Sequence, residues 1–220
     1  MANYGVIDLG SNSVRLVIFD VKDGINKKKP ITCKDFRSII NDKVMAGLSA
    51  YVDAGEFTQE GIARAVDVLS GHLKRARYFN CVRTDIFATA VLRNCANSRK
   101  AIRAIEEVIG APVNLLSARD EAHLSFAGAS CDRTIEKGTV VDLGGGSTEL
   151  IRVEEGRDFD DVSIGQGSLS SYAGYVEFVM PQADEVEAIE SAFLDQVAKT
   201  PVDLKKYRAE ALYGVGGSAR

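Results

Sequence analysis

The sequence is poor in several of the residues on which common catalytic chemistries depend. It has two histidines in 220 residues, His72 in a helical apolar stretch and His123 just after an acidic pair. Both read as structural, and no Ser-His-Asp relay can be assembled around them. The four cysteines, Cys33, Cys81, Cys95 and Cys131, form no CxxC pair and no zinc-ligand spacing. They read as buried or incidental thiols of a reducing compartment. Positive charge is not in excess: 27 Lys and Arg face 31 Asp and Glu, for a net charge of −4. A broad nucleic-acid or polyanion surface is therefore not expected. An anionic substrate would be held locally, by loop amides and a few arginines. No apolar run approaches the ~20 residues that span a membrane. The opening "MANYGVIDLG" lacks the basic segment and apolar core of a signal peptide. A cytoplasmic protein with no membrane or nucleic-acid partner is expected.

What is present is ordinary globular material. Hydrophobic residues make up 45% and charged residues 26% of the chain, enough to bury a core. The length suits one large domain or two small ones. The chain then repeats itself. "VIDLGSNSVRLVIF" from Val6 and "VDLGGGSTELIRV" from Val141 superpose Asp8 on Asp142, Leu9 on Leu143, Gly10 on Gly144, Ser13 on Ser147 and Leu16 on Leu150.

Each copy opens a similar series of elements. Residues 4–9 and 14–21 read as a hairpin, and 31–40 as a third strand after the polar turn "KDGINKKKP", whose lysines 27–29 read as a solvated tip. "MAGLSAYVDAGEF" reads as glycine-punctuated loop. From the N-cap Thr58, Ile62, Val66, Leu69, Leu73 and Ala76 recur at helical spacing. "TDIFAT" is a strand, "SRKAIRAIEEVIG" a helix closed by Gly110, "PVNLLS" a strand, and a helix starts at Ala118. The series restarts as strand, turn, strand, turn, strand over 138–165. A polar helix follows at roughly 182–199, then a strand running into the glycine loop "YGVGGSAR". Two units divided near residue 125 (1–125 and 126–220) are expected to face each other across a cleft. The second is expected to be incomplete, because a helix normally follows such a glycine loop.

A glycine-rich turn after a strand presents backbone N–H groups that suit phosphate oxygens. "GSNS" (Gly10, Ser11, Asn12, Ser13) and "GGGST" (Gly144, Gly145, Gly146, Ser147, Thr148) are the candidates, the latter with two added hydroxyls. Either alone could be a plain hairpin turn; two copies with a matching aspartate favour a site. A carboxylate beside a phosphate nest needs compensation, for which Mg²⁺ held through waters is suited. Asp8, Asp142 and Glu149 are the metal candidates, although Glu149 could equally be an outward strand residue. In "SARDEAHLSFAG", Ser117 and Asp120 have capping-box spacing. Glu121 next to them could accept a proton from an attacking water, or could simply complement the helix dipole. Arg93 in the loop after "DIFAT", and Arg15 beyond the first turn, could clamp phosphate or lie at the surface.

These residues together resemble the exopolyphosphatase and guanosine pentaphosphate phosphohydrolase (Ppx/GppA) family. "IDLGSNSVRLVI" looks like its first phosphate loop and "ATAVLRNCAN" its arginine loop. "SARDEAHLSFAG" resembles its catalytic-glutamate segment, "VVDLGGGSTEL" its second phosphate loop and "YGVGGSAR", with Gly216, Gly217 and Ser218, its third glycine loop. Ala118 stands where the family usually has glycine, and Asp120 where it commonly has glutamate. The resemblance implies an α/β protein of two ribonuclease-H-like (actin-like ATPase) domains flanking a cleft. It implies Mg²⁺-dependent hydrolysis of terminal phosphoanhydride bonds in polyphosphate or in guanosine penta- or tetraphosphates, and a possible homodimer. Glu121 would be the catalytic base, with Asp142, Glu149 and Asp8 in the metal and water network and Arg93 on substrate phosphate. An ATP-dependent kinase of the same superfamily and a non-enzymatic alarmone or nucleotide sensor are the competing readings.

Overall fold

The computed structural model describes residues 2–22, 32–132 and 134–216. The turn carrying Lys27, Lys28 and Lys29, and the candidates Gly217 and Ser218, lie outside the described residues. The chain divides into two compact units, Met1–Ser117 and Ala118–Arg220.

The first unit opens with an antiparallel meander of β1 (Ala2–Leu9), β2 (Ser13–Val21) and β3 (Phe36–Met45). A small ladder of β4 (Val52–Asp53) and β5 (Glu56–Phe57) leads into helix α1 (Gln59–Tyr78). Then come β6 (Cys81–Ala88), the single turn α2 (Ala90–Arg93), α3 (Ser98–Ile109) and β7 (Asn114–Leu115). The sheet order is β3-β2-β1-β6-β7, with β6 parallel to β1 and β7 parallel to β6. Alternation places Ile7, Leu9, Val14, Leu16 and Ile18 on one face, where Ile62, Ala65 and Leu69 of α1 and Ile105 of α3 bury them. Thr58 caps α1 by accepting from Gly61 N at 3.2 Å, and Gly110 ends α3 with φ 67°.

The third strand starts at Phe36, later than the expected residue 31. The cause is local: the Asp35 carboxylate accepts from Thr32 N and Thr32 Oγ1 at 2.8 and 2.7 Å, which holds 32–35 as a turn. The "PVNLLS" strand shrinks to Asn114–Leu115, and part of the expected loop before α1 is the β4–β5 ladder. Cys81 and Cys95 are free thiols. Cys33 and Cys131 are each disulfide-bonded, which corrects the thiol expectation at those two positions.

The second unit begins with α4 (Ala118–Asp132), followed by β8 (Gly138–Leu143), β9 (Thr148–Glu154) and β10 (Arg157–Ile164). Helices α5 (Ser168–Tyr175) and α6 (Ala183–Lys199) and strand β11 (Leu212–Val215) complete it. Its sheet order, β10-β9-β8-β11, repeats the first unit's topology, with β11 parallel to β8. The repeat holds to the residue. Asp8 pairs with Arg15 and Leu9 with Val14; at the equivalent places Asp142 pairs with Glu149 and Leu143 with Thr148.

What differs is which face a helix covers. In the first unit α1 and α3 bury the Ile7 and Leu9 face, and Asp8 on the other face is exposed. In the second unit Ala122 and Phe126 of α4 pack on Val140 and Ile151, the face that also carries Asp142 and Glu149. The expected boundary after residue 125 therefore falls inside α4, whose buried Ala122 and Phe126 belong to the second unit's core.

Candidate active site

The catalytic candidates of the second unit converge at the carboxyl end of β8. Asp142 and Glu149 stand directly opposite each other on the hairpin. Like charges in that position repel, and here the repulsion is sharpened because Glu149 is only 2% exposed. Hydroxyls hold both carboxylates. Ser125 Oγ donates to Asp142 Oδ2, and Ser163 Oγ donates to Glu149 Oε1 at 2.8 Å. Ser147 also hydrogen-bonds the Glu149 carboxylate. Burial nevertheless dominates and pushes the Glu149 pKa up; the negative charges of Glu121 and Asp142 add to the rise, while the two serine bonds oppose it. Glu121 is half-buried, one helical turn from Ser125 on the same face of α4. Three acidic groups thus lie within electrostatic reach of one another beside the glycine turn.

The turn itself is anchored through its carbonyls. Gly144 N donates to Ser147 O at 3.0 Å, closing the hairpin. Ser168 N donates to Gly144 O at 2.9 Å, and Leu169 N and Ser170 N donate to Gly145 O at 2.9 and 3.0 Å. The first turn of α5 is therefore satisfied by the glycine turn. In a trans peptide the C=O and N–H point in opposite directions, and no described bond is cis. With the Gly144 and Gly145 carbonyls turned toward α5, the amides of Gly145 and Gly146 must face away from it. Among the described residues they meet no hydrogen-bond acceptor. Two neighbouring free amides beside an aspartate make an anion nest. The added hydroxyl donors are turned inward instead: Thr148 Oγ1 donates to Gln166 O at 2.7 Å and Ser147 serves Glu149.

The first unit builds a similar turn. Gly10 N donates to Ser13 O at 3.2 Å, the counterpart of the Gly144 bond. Here the anchoring carbonyls are those of Ser11, which accepts from Ser49 N, and Asn12, which accepts from Ala46 N and Gly47 N at 2.9 and 2.8 Å. Arg15 lies between Asp8 on β1 and Lys43 on β3. Arg93 is the last residue of α2 rather than part of a loop, and its Nη1 donates to Leu116 O at 3.2 Å. Gly216, with φ 103°, ends β11 beside β8; a Cβ there would meet Leu143 O at 2.7 Å and Asp142 Oδ1 at 3.3 Å. His72 and His123 are structural as expected. His72 is fully buried with Nε2 on Val14 O, and His123 pairs with Asp158 at 2.8 Å.

The profile of the Ppx/GppA phosphatase family matches residues 7–219. The chain belongs to this family. A protein of Haemophilus influenzae provisionally named an exopolyphosphatase is 30% identical over 148 residues, 66% of this chain and 42% of its own length. The match thus spans less than half of that relative's length. An exopolyphosphatase from Cytophaga hutchinsonii shares the fold at TM-score 0.82 and 22% identity, covering 98% of this chain and 67% of that one. The Aquifex aeolicus Ppx-GppA enzyme follows at 0.70 and 24%, covering 99% and 68%. More distantly, MreB5 of Spiroplasma citri matches at 0.50 and 12% over 99% of this chain and 85% of that one. The Ppx/GppA chain thus has the actin-like α/β fold.

Four contributors escaped the sequence reading. Ser125, four residues after Glu121, carries a periodic signal. Ser163, Gln166 and Gly167 carry none. Gly167 packs so closely that a Cβ would lie 2.5 Å from Gly144 O and 2.7 Å from Ser147 N.

Proposed function

We propose that this chain carries the chemistry of a Mg²⁺-dependent hydrolase of terminal phosphoanhydride bonds, acting on inorganic polyphosphate, guanosine pentaphosphate or both. One observation carries the reading: a buried carboxylate, Glu149, faces the half-buried Asp142 across the hairpin, and the pair sits beside both Glu121 and an outward-facing amide nest. Family membership supports the reaction class.

In this reading the Gly145 and Gly146 amides take oxygens of the terminal phosphate. Glu121 accepts the proton of the water that attacks the phosphorus in line, and the leaving chain carries away the electron pair of the broken P–O bond. Ser125 and Ser163 keep the other two carboxylates in fixed rotamers. Gly10–Ser13, Arg15, Arg93, Gly216, Gly217 and Ser218 are proposed as further phosphate ligands. Among the described residues no group of three or more His, Cys, Asp or Glu side chains forms a direct metal cage. The acidic cluster fits Mg²⁺ held largely through its own waters, with Asp142 and Glu149 as holders and Asp8 as a third candidate. When bound, the ion supplies neutralisation of phosphate charge.

The test is phosphate release from long-chain polyphosphate and from guanosine pentaphosphate, with Mg²⁺ or with chelator. Glu121→Gln should lower kcat by about a hundredfold or more, the scale of a lost general base, with KM little changed. Release that persists in chelator, or that ignores the substitution, would remove the mechanism. Phosphate-ligand binding without any turnover would favour the sensor reading.

A further inference from the structure

The second unit has a cavity at the end of its sheet opposite the glycine turn. It has a volume of about 420 Å³, and Gly138 and Thr139 are among its lining residues. Those residues begin β8, whereas Asp142 and Leu143 end it. At roughly 3.3 Å per residue the two ends are about 16 Å apart. Nothing in the glycine turn reaches this cavity.

Its lining is basic in a protein that is acidic overall. Lys137, Arg152, Lys205, Lys206 and Arg208 face it, against two carboxylates, Glu154 and Glu210. Two of the cations are spoken for. Arg152 pairs with Glu154 and lies 5.1 Å over the Phe159 ring, and Lys206 lies 3.6 Å from Asp160. Among the described residues, Lys137, Lys205 and Arg208 have no ion-pair partner. With Glu154 taken by Arg152, only Glu210 offsets these three like charges, and the excess positive charge around one concavity favours an anion.

The walls are built, not draped. The segment 204–211 that carries Lys205 and Arg208 is fixed to β8 from both sides. Thr139 Oγ1 donates to Tyr207 O at 2.7 Å, and Thr139 N donates to Ala211 O at 3.1 Å. Thr139 is 2% exposed and Tyr207 7% exposed. Only glycine fits at the start of β8: Gly138 has φ 146°, and a Cβ there would lie 2.7 Å from Tyr213. The cations are thus displayed from a fixed frame, which lowers the ordering cost of binding.

We propose that this cavity is a second anion site, distinct from the catalytic end, that takes a compact oligophosphate. The volume lies in the range of small-molecule pockets, and the free cations outnumber what a single monoanion needs. The oligophosphate can be an inorganic chain or the phosphate tail of a nucleotide.

The two sources are separated by titrating the ¹⁵N-labelled chain with tripolyphosphate and, separately, with GTP. Amide shifts at Gly138, Ala209 and Ala211 report this cavity; those at Gly145 and Gly146 report the catalytic end. Saturable shifts at the first set are expected, and the ligand that saturates earlier names the source. Lys205→Glu with Arg208→Glu, both exposed positions, should weaken that saturation at least about tenfold, the scale of two lost charge-assisted contacts, and leave the Gly145 and Gly146 response unchanged. An unchanged amide spectrum elsewhere shows that the variant is folded. Shifts confined to Gly145 and Gly146, or shifts that sodium sulfate at matched ionic strength reproduces without saturation, overturn the proposal. Because the two sets of amides are read separately, failure here leaves the hydrolase reading standing.

Discussion

At the residue scale the decisive position is 149. The first unit places Arg15 opposite Asp8, an attractive pair; the second places Glu149 opposite Asp142, a repulsive one. A fold selected for stability alone would favour the first arrangement. Because burial and neighbouring charge raise the Glu149 pKa above its ordinary value of 4.5, its favourable contribution is present below that value. It is lost as pH rises through the higher folded value. Glu149→Gln should therefore stabilise the folded chain at pH 8 by roughly 0.5–1 kcal/mol, the scale of a like-charged cross-strand pair. The gain should fade toward pH 4 while phosphate release is lost at every pH. Urea midpoints at the two pH values check this, and equal gains at both would contradict the electrostatic account. Gly167→Ala makes a complementary case. Its Cβ has no room against the Gly144–Ser147 turn, so it should weaken phosphate binding, seen as a raised KM, although no carboxylate is replaced. The repeat singles out Asp8, Asp142 and the glycines of both turns as candidates, and the hairpin register repeats with it. The burial of Glu149 was not legible, because alternation tells which residues share a face but not which face a helix will cover.

At the element scale the helices were the most legible part. The apolar spacing of α1 and its Thr58 cap, and the Gly110 stop of α3, are local signals that tertiary packing did not override. Helix α5 was hidden because "SLSSYAGY" has no apolar stripe and buries no residue fully; its start is set by the glycine turn, a contact distant in sequence. The two glycines of α1 separate propensity from packing. Gly71 has open space around it, and alanine there should stabilise by about 0.5–1 kcal/mol through helix propensity. Gly61 sits 2.7 Å from Tyr51 and 2.9 Å from Phe57 at the Cβ position. Alanine there should destabilise by about 1–3 kcal/mol through overpacking, which outweighs any gain in propensity. Thermal and urea unfolding of the two variants reads the difference in sign.

At the scale of the whole molecule the two units carry opposite responses to acid. Burial lowers the pKa of His72 below its ordinary 6.5, only partly countered by its bond to Val14 and by Asp42. Its contribution is therefore full above that value and is lost as pH falls toward the lowered one. Glu149 in the second unit runs the other way. Following urea unfolding by amide signals from each unit at pH 7.5 and 5.5 should show the first unit's midpoint falling relative to the second's. A shift in the reverse sense would sink the comparison. The doubled topology was readable from the sequence, since Asp-Leu-Gly recurs with its flanking strands; the helix α4 boundary was not, since it depends on which sheet the helix buries. The glycine turn links these scales. Its peptide planes show amides on one side and, through Gly144 and Gly145, hold the first turn of α5 on the other. An anion drawn to those amides polarises the same peptide groups that grip the helix. Occupancy is thereby written into the helix as tightness. Slowed hydrogen exchange at Ser168, Leu169 and Ser170 would serve as a gauge of a filled turn, readable without any product being formed.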